Sequence, residues 1–347
     1  MDLIYQAYRS PYDKTVIKDT DYLVISARVK AMETKMLSMD RLNRLLEAED
    51  ADDAIKLLTD AGYPPFDPKD PEAMDHALGS VRESVFKDLE DTVPDPRYLE
   101  IFRIRYDYHN LKTLLKAAVT GSDPDPLLEN LGRVPVKTLK DALSGGDMSF
   151  LPQGFAEAAA EGREILETTS DPQLSDAALD RLMFREQLDT AAATGSKFLT
   201  GYVKALIDAA NLKAAVRSIR MGKNADFLAG VLAEGGEVSP ESILSCVRNQ
   251  GQGLAELYAP TLFRDAAQAG AGALGGGPLT GFEKLTDDAV CGYLSGALYV
   301  AFGEAPLVGF LAATETEITN LRIILMGKNA GLDPEIIRQR LRTPYVR

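Results

Sequence analysis

Three segments of this 347-residue chain share the pattern [DE]-x-x-N-L-[KR]: Asp107-Tyr-His-Asn110-Leu-Lys, Asp208-Ala-Ala-Asn211-Leu-Lys and Glu317-Ile-Thr-Asn320-Leu-Arg. The asparagines stand 101 and 109 residues apart, close to a third of the chain. A fold that houses one copy must therefore house the others in the same way. Around each asparagine the apolar residues recur in register. Nine residues before it stand Ile101, Tyr202 and Leu311, four after it Leu114, Ala215 and Ile324, and five after it Leu115, Val216 and Leu325. On a helix these positions fill an arc of roughly 140°, with the acidic residue inside it and the asparagine at its rim. Each copy thus reads as a long helix holding a carboxylate against its buried face. Such a carboxylate needs donors, because an unpaired buried charge costs several kcal/mol. Exposed N–H groups at the start of another helix, or an arginine such as Arg28, could supply them.

The last two copies also share Met-Gly-Lys-Asn-Ala, at 221–225 and 326–330, offset from the asparagine by ten and six residues. The difference is about one turn, which predicts a longer helix on an unchanged face.

The remaining chain reads as helix broken by punctuation. Ile25, Val29, Met32 and Met36 fall on one helical face, Asp50 and Asp53 before AIKLL look like a helix start, and Gly62 before Tyr63-Pro64-Pro65 looks like a stop. Clusters such as PFDPKDP, TVPDP, TGSDPDP and SGGD separate further helical segments. No strand run stands out, and Val134-Pro135-Val136 reads as loop. The stretch Ala289–Gly303, cut by Glu304 and Pro306, is too short to span a membrane and reads as a buried helix. The expected fold class is all-α.

A formal charge of −14 opposes a role on nucleic acid, whose phosphates demand basic residues. The one local basic excess is Lys328, Arg338, Arg340, Arg342 and Arg347, either a solvated helix face or a contact for an acidic partner. Cys246 and Cys291 stand alone, which fits a reducing compartment, and the start MDLIYQAYRSPYDK lacks the layout of a signal peptide.

Motifs for chemistry fail on context. Gly270-Ala-Gly272-Ala-Leu-Gly275 spells G-x-G-x-x-G, but it follows a helical segment and reads as a flexible loop. Gly222-Lys223 and Gly327-Lys328 lack the rest of a phosphate-binding loop. His76 and His109, the only histidines, have no metal-ligand spacing, and the acidic run Glu47–Asp53 lacks the fixed positions of a calcium loop. No nucleophile motif is visible, so no catalytic residue, cofactor or metal ligand is assigned.

The ordered set Ala27-Arg28-Val29-Lys30-Ala31-Met32-Glu33, the three [DE]-x-x-N-L-[KR] segments, Phe282-Glu-Lys, Phe302-Gly-Glu-Ala-Pro-Leu and Gly331-Leu-Asp-Pro-Glu-Ile-Ile-Arg resembles the C subunit of bacterial and archaeal V/A-type ATPases, and its eukaryotic relative, the d subunit. The first copy departs by running into LLKAAVTGSDPDP where the others have MGKNA. The resemblance implies three similar helical units, 1–122, 123–225 and 226–347, arranged with pseudo-threefold symmetry as a funnel. It further implies a non-catalytic rotor component on the cytoplasmic side, between the membrane proteolipid ring and the D and F subunits of the central stalk, serving proton or sodium transport. A helical adaptor or assembly factor without rotation is the alternative.

Overall fold

A computed structural model describes residues 18–346, and every regular element among them is helical, with no strand. Helices α1 (Leu23–Glu33), α2 (Met39–Glu47), α3 (Ala51–Asp60) and α4 (Pro71–Glu90) lead to the long α5 (Arg97–Thr120), which carries the first motif. Helices α6 (Val136–Gly145), α7 (Gln153–Thr169) and α8 (Pro172–Thr194) lead to α9 (Lys197–Arg220) and the second motif. Helices α10 (Ala225–Ala229), α11 (Pro240–Arg248), α12 (Leu254–Tyr258), α13 (Arg264–Leu274) and α14 (Thr280–Ser295) lead to α15 (Glu304–Asn329) and the third; α16 (Pro334–Arg338) follows. The expected boundary at 122 falls in the loop after α5, and that at 225 on the first residue of α10.

Local chemistry sets the helix ends. Asp50 accepts from Asp53 N at the start of α3, and Asp70, Ser239 and Asp333 cap helices whose first residue is proline, which needs no N–H partner there. The three motif helices stop alike. Gly121, Gly222 and Gly331 each lie eleven residues past the motif asparagine and take left-handed φ values of 70°, 64° and 65°. Such a backbone suits glycine because a side chain there is strained.

Three expectations are corrected. The shifted Met-Gly-Lys-Asn-Ala does not lengthen a helix, since α9 and α15 both end nine residues past their asparagine. The motif overlaps the end of α15 but follows that of α9. The G-x-G-x-x-G segment lies mostly inside α13 rather than in a flexible loop. A Cβ at Gly270 would stand 3.0 Å from Phe282 and Val216, so that glycine allows close packing against α14 and α9. The stretch 289–303 is not one buried helix: α14 ends at Ser295, a 3₁₀ turn covers Gly296–Tyr299, and Tyr299 is 78% exposed.

The core shows how the motif helices are used. The later part of α5 (Ile104, Tyr108, Leu111, Leu115) packs with α6–α8 residues Leu139, Phe155, Ala159 and Leu179. In α15, Ile318, Leu321, Ile324 and Leu325 pack instead with Leu42, Leu46, Leu58 and Leu78 from α2–α4. Leu212, Ala215 and Val216 of α9 share a core with Ile243, Tyr258 and Phe263 from α11 to the start of α13. Each motif helix therefore buries its apolar side among the helices of a different block.

Candidate functional site

The three asparagines make one identical contact. Asn110 Nδ2 donates to Glu129 O at 2.8 Å and its Oδ1 accepts from Glu129 N at 2.9 Å. Asn211 does the same to Ala233 at 2.8 and 2.9 Å, and Asn320 to Arg342 at 3.0 and 2.8 Å. Both backbone groups of one downstream residue are thus held by a single side chain. An amide carries a donor and an acceptor side by side, whereas an ionised carboxylate only accepts, which accounts for asparagine rather than aspartate. All three are at least 98% buried, so the clamp satisfies polar groups that would otherwise be unpaired and out of reach of water.

The carboxylates bind helix starts. Asp107 Oδ1 accepts from Val134 N at 3.0 Å, Asp208 Oδ1 from Val238 N at 3.1 Å, and Glu317 Oε2 from Leu37 N at 2.5 Å. Each of these N–H groups lies one residue ahead of the N-cap of α6, α11 and α2. The second oxygen takes another donor: Arg133 Nε for Asp107, Glu237 N for Asp208 and Tyr63 Oη for Glu317. Two acceptors are needed, so an acid stands here where the neighbouring site needs an amide. Burial raises the pKa of all three carboxyls against the lowering pull of these donors. Arg28 takes no part in these contacts; it stands 3.6 Å from Asp88.

Glu317 is one methylene longer for a visible reason. A Cβ at Gly132 or Gly236, two residues before the capped N–H, would overlap Asp107 or Asp208. Backbone therefore approaches closely enough for an aspartate to reach. The equivalent residue before Leu37 is Lys35, and there the longer glutamate spans the gap.

The basic residue of each motif completes the set. Lys112 pairs with Asp180 on α8 at 2.6 Å, Lys213 with Asp287 on α14, and Arg322 with Asp75 on α4 at 2.6 Å. Those aspartates lie on the helices that immediately precede α9, α15 and α5. Motif one thus engages the elements leading to motif two, motif two those leading to motif three, and motif three those leading to motif one. The three Asp partners sit in unrelated local sequences, so no sequence pattern marked them.

Further polar groups brace the junctions. Arg133 also donates to Glu186 at 2.7 Å, and Tyr108 to Glu186 at 3.0 Å, between α5 and α8. Arg82, 6% exposed, lies 3.3 Å from Glu315 and 3.5 Å from Glu129, while Tyr106 donates to Glu315 and Phe102 stacks on Tyr202 at 5.9 Å. Removing one partner of such a buried pair costs about 3–5 kcal/mol.

Three basic residues of the tail bind their own chain, while Arg340 is exposed. Lys328 donates to Leu46 O and Ala48 O at the end of α2, Arg338 pairs with Glu335, and Arg342 with Asp287; Arg347 lies outside the described residues. His76 and His109 line one cleft of about 870 Å³ with Asp75, Glu83 and Asp125, and among the described residues no group of three His, Cys, Asp or Glu could hold a metal ion. Burial pushes the Cys291 thiol up to about 11, which disfavours the reactive thiolate. Exposed apolar side chains remain. Ser26 bonds both backbone groups of Gly303 at 3.3 Å, and Leu23 and Val24 of α1 as well as Tyr299, Val300 and Phe302 are substantially exposed.

The fold and these contacts define an all-helical protein whose repeated polar motif ties blocks of helices to one another. The chain belongs to the ATP synthase (C/AC39) subunit family, whose model matches residues 25–340. It is 28% identical over 337 residues to the C subunit of the V-type sodium ATPase of Enterococcus hirae, covering 94% of this chain and 99% of that protein. It is 25% identical to the C subunit of the A-type ATP synthase of Methanocaldococcus jannaschii, covering 94% and 88%, and 25% identical to that of Haloferax volcanii, covering 78% and 81%. Among the described residues no helix is long and apolar enough to cross a membrane.

Proposed function

We propose that this chain is a non-catalytic rotor component of a V/A-type ATPase, a sleeve that couples the D and F subunits of the central stalk to the membrane proteolipid ring on its cytoplasmic side. In this reading three units near 1–122, 123–225 and 226–347 surround an axis as a pseudo-threefold funnel. The observation that carries it is the cyclic order of the motif contacts, in which the third copy engages the first block as the first engages the second. A closed cycle of wedges suits a part that encloses a shaft. Family membership supports a role for such a part within an ATPase complex.

The load defines what the contacts must withstand. Moving one charge against 100 mV costs about 2.3 kcal/mol, and several ions pass per turn. Isolated surface ion pairs at about 0–1 kcal/mol are poor anchors, so shape and apolar contact dominate, with charge setting orientation. The exposed apolar side chains of Leu23, Val24, Tyr299, Val300 and Phe302 offer such contacts.

Affinity capture on the tagged chain tests the reading. The D/F pair and the detergent-solubilised ring should be retained together in one complex. Displacement of either by the other would favour the adaptor alternative.

A further inference from the structure

The three motif junctions differ in one respect. In the first two, the residue clamped by asparagine and the N–H capped by the carboxylate belong to one continuous stretch, Glu129 to Val134 and Ala233 to Val238. In the third they belong to different segments: Asn320 clamps Arg342, whereas Glu317 caps Leu37, 280 residues away from it in sequence. The clamp can therefore release without moving the capped helix, which the covalent stretch forbids elsewhere.

We propose that Leu341–Val346 is a detachable strap across this junction. Its anchors come from three elements. On α14, Lys284 donates to Leu341 O at 2.6 Å, Asp287 accepts from Arg342 Nε at 2.6 Å and Asp288 accepts from Thr343 N at 2.6 Å. On α15, Asn320 holds Arg342, and the hydroxyl end of Tyr345 abuts Gly309, where an added Cβ would stand 2.6 Å from its oxygen. On α1, Glu33 accepts from Tyr345 Oη at 3.3 Å, a side-chain bond that joins the strap to the segment leading to Leu37. Tyr345 is 6% exposed and is the strap's main apolar anchor alongside Leu341.

Detachment leaves the Glu317–Leu37 cap in place and withdraws only Leu341 from the apolar core between α15 and α2–α4. It uncovers Glu33, Gly309, Ala313 and Asn320, a floor between α1 and α15 that the strap now covers. Opening of this kind is local, so its free energy lies below that of global unfolding and is readable by amide exchange.

Residue-resolved hydrogen exchange on the full chain tests the strap. The amides of Arg342 and Thr343 should exchange at least about tenfold faster than those of Glu129 and Ala233, which occupy the matching clamps. Tyr345→Ala should accelerate Arg342 and Thr343 by roughly a further tenfold and leave Glu129 and Ala233 unchanged. Tyr345→Phe, which keeps the ring, should give the same ordering with a smaller change. Equal exchange at all three clamps, or acceleration of all three by Tyr345→Ala, overturns the proposal.

Discussion

At the scale of single residues, the motif assigns each side chain by its donor and acceptor count. Asparagine faces one N–H and one C=O of the same residue, and the acid faces two donors. Asn211→Asp keeps the shape but turns an acceptor toward Ala233 O, while Asn211→Ala leaves both Ala233 groups unpaired. Each orphaned buried group costs about 1–3 kcal/mol, so either variant should lose roughly 2–5 kcal/mol in urea denaturation. A loss below about 0.5 kcal/mol, the range of ordinary surface changes, would show that the clamp contributes nothing. The residue types were legible in the sequence, and so was the need for partners at a helix start. The partners themselves were not. Val134, Val238 and Leu37 contribute backbone N–H groups, which any residue but proline supplies, so their identity leaves no trace in the sequence.

At the scale of elements, a glycine stands at the same distance past each motif asparagine. Gly121, Gly222 and Gly331 share one register and one left-handed backbone conformation. Nothing lies within 4 Å of a Cβ built on Gly222, so Gly222→Ala isolates the backbone cost. The expected loss is about 1 kcal/mol, read as a lower Tm with motif contacts intact. A raised Tm would mean that α9 does not depend on this stop. The punctuation at Asp50 and Gly62 was readable because capping is local chemistry. The glycine-rich segment of α13 was misread because tertiary packing decides it: Gly270 faces Phe282 and Val216, which lie twelve and more than fifty residues away. The run 289–303 was legible only in part: Val290 and Leu294 are buried on α14, but beyond the 3₁₀ turn the apolar Val300 and Phe302 are exposed.

At the scale of the whole molecule, repeat spacing pointed to three related parts, but it did not indicate that each motif reaches forward into the next block. That order emerges only when α15 is seen packed on α2–α4, across nearly the full sequence separation. The proposed sleeve makes the chain indispensable for transport while it contributes nothing to nucleotide chemistry. The direct test is reconstitution of the rotary complex in vesicles with and without this chain, following ATP hydrolysis and ion uptake together. Omission should abolish uptake while the soluble ATPase portion still hydrolyses ATP, and adding the chain back should restore uptake. Undiminished uptake without the chain, or ATP hydrolysis by the isolated chain, would rule the sleeve out.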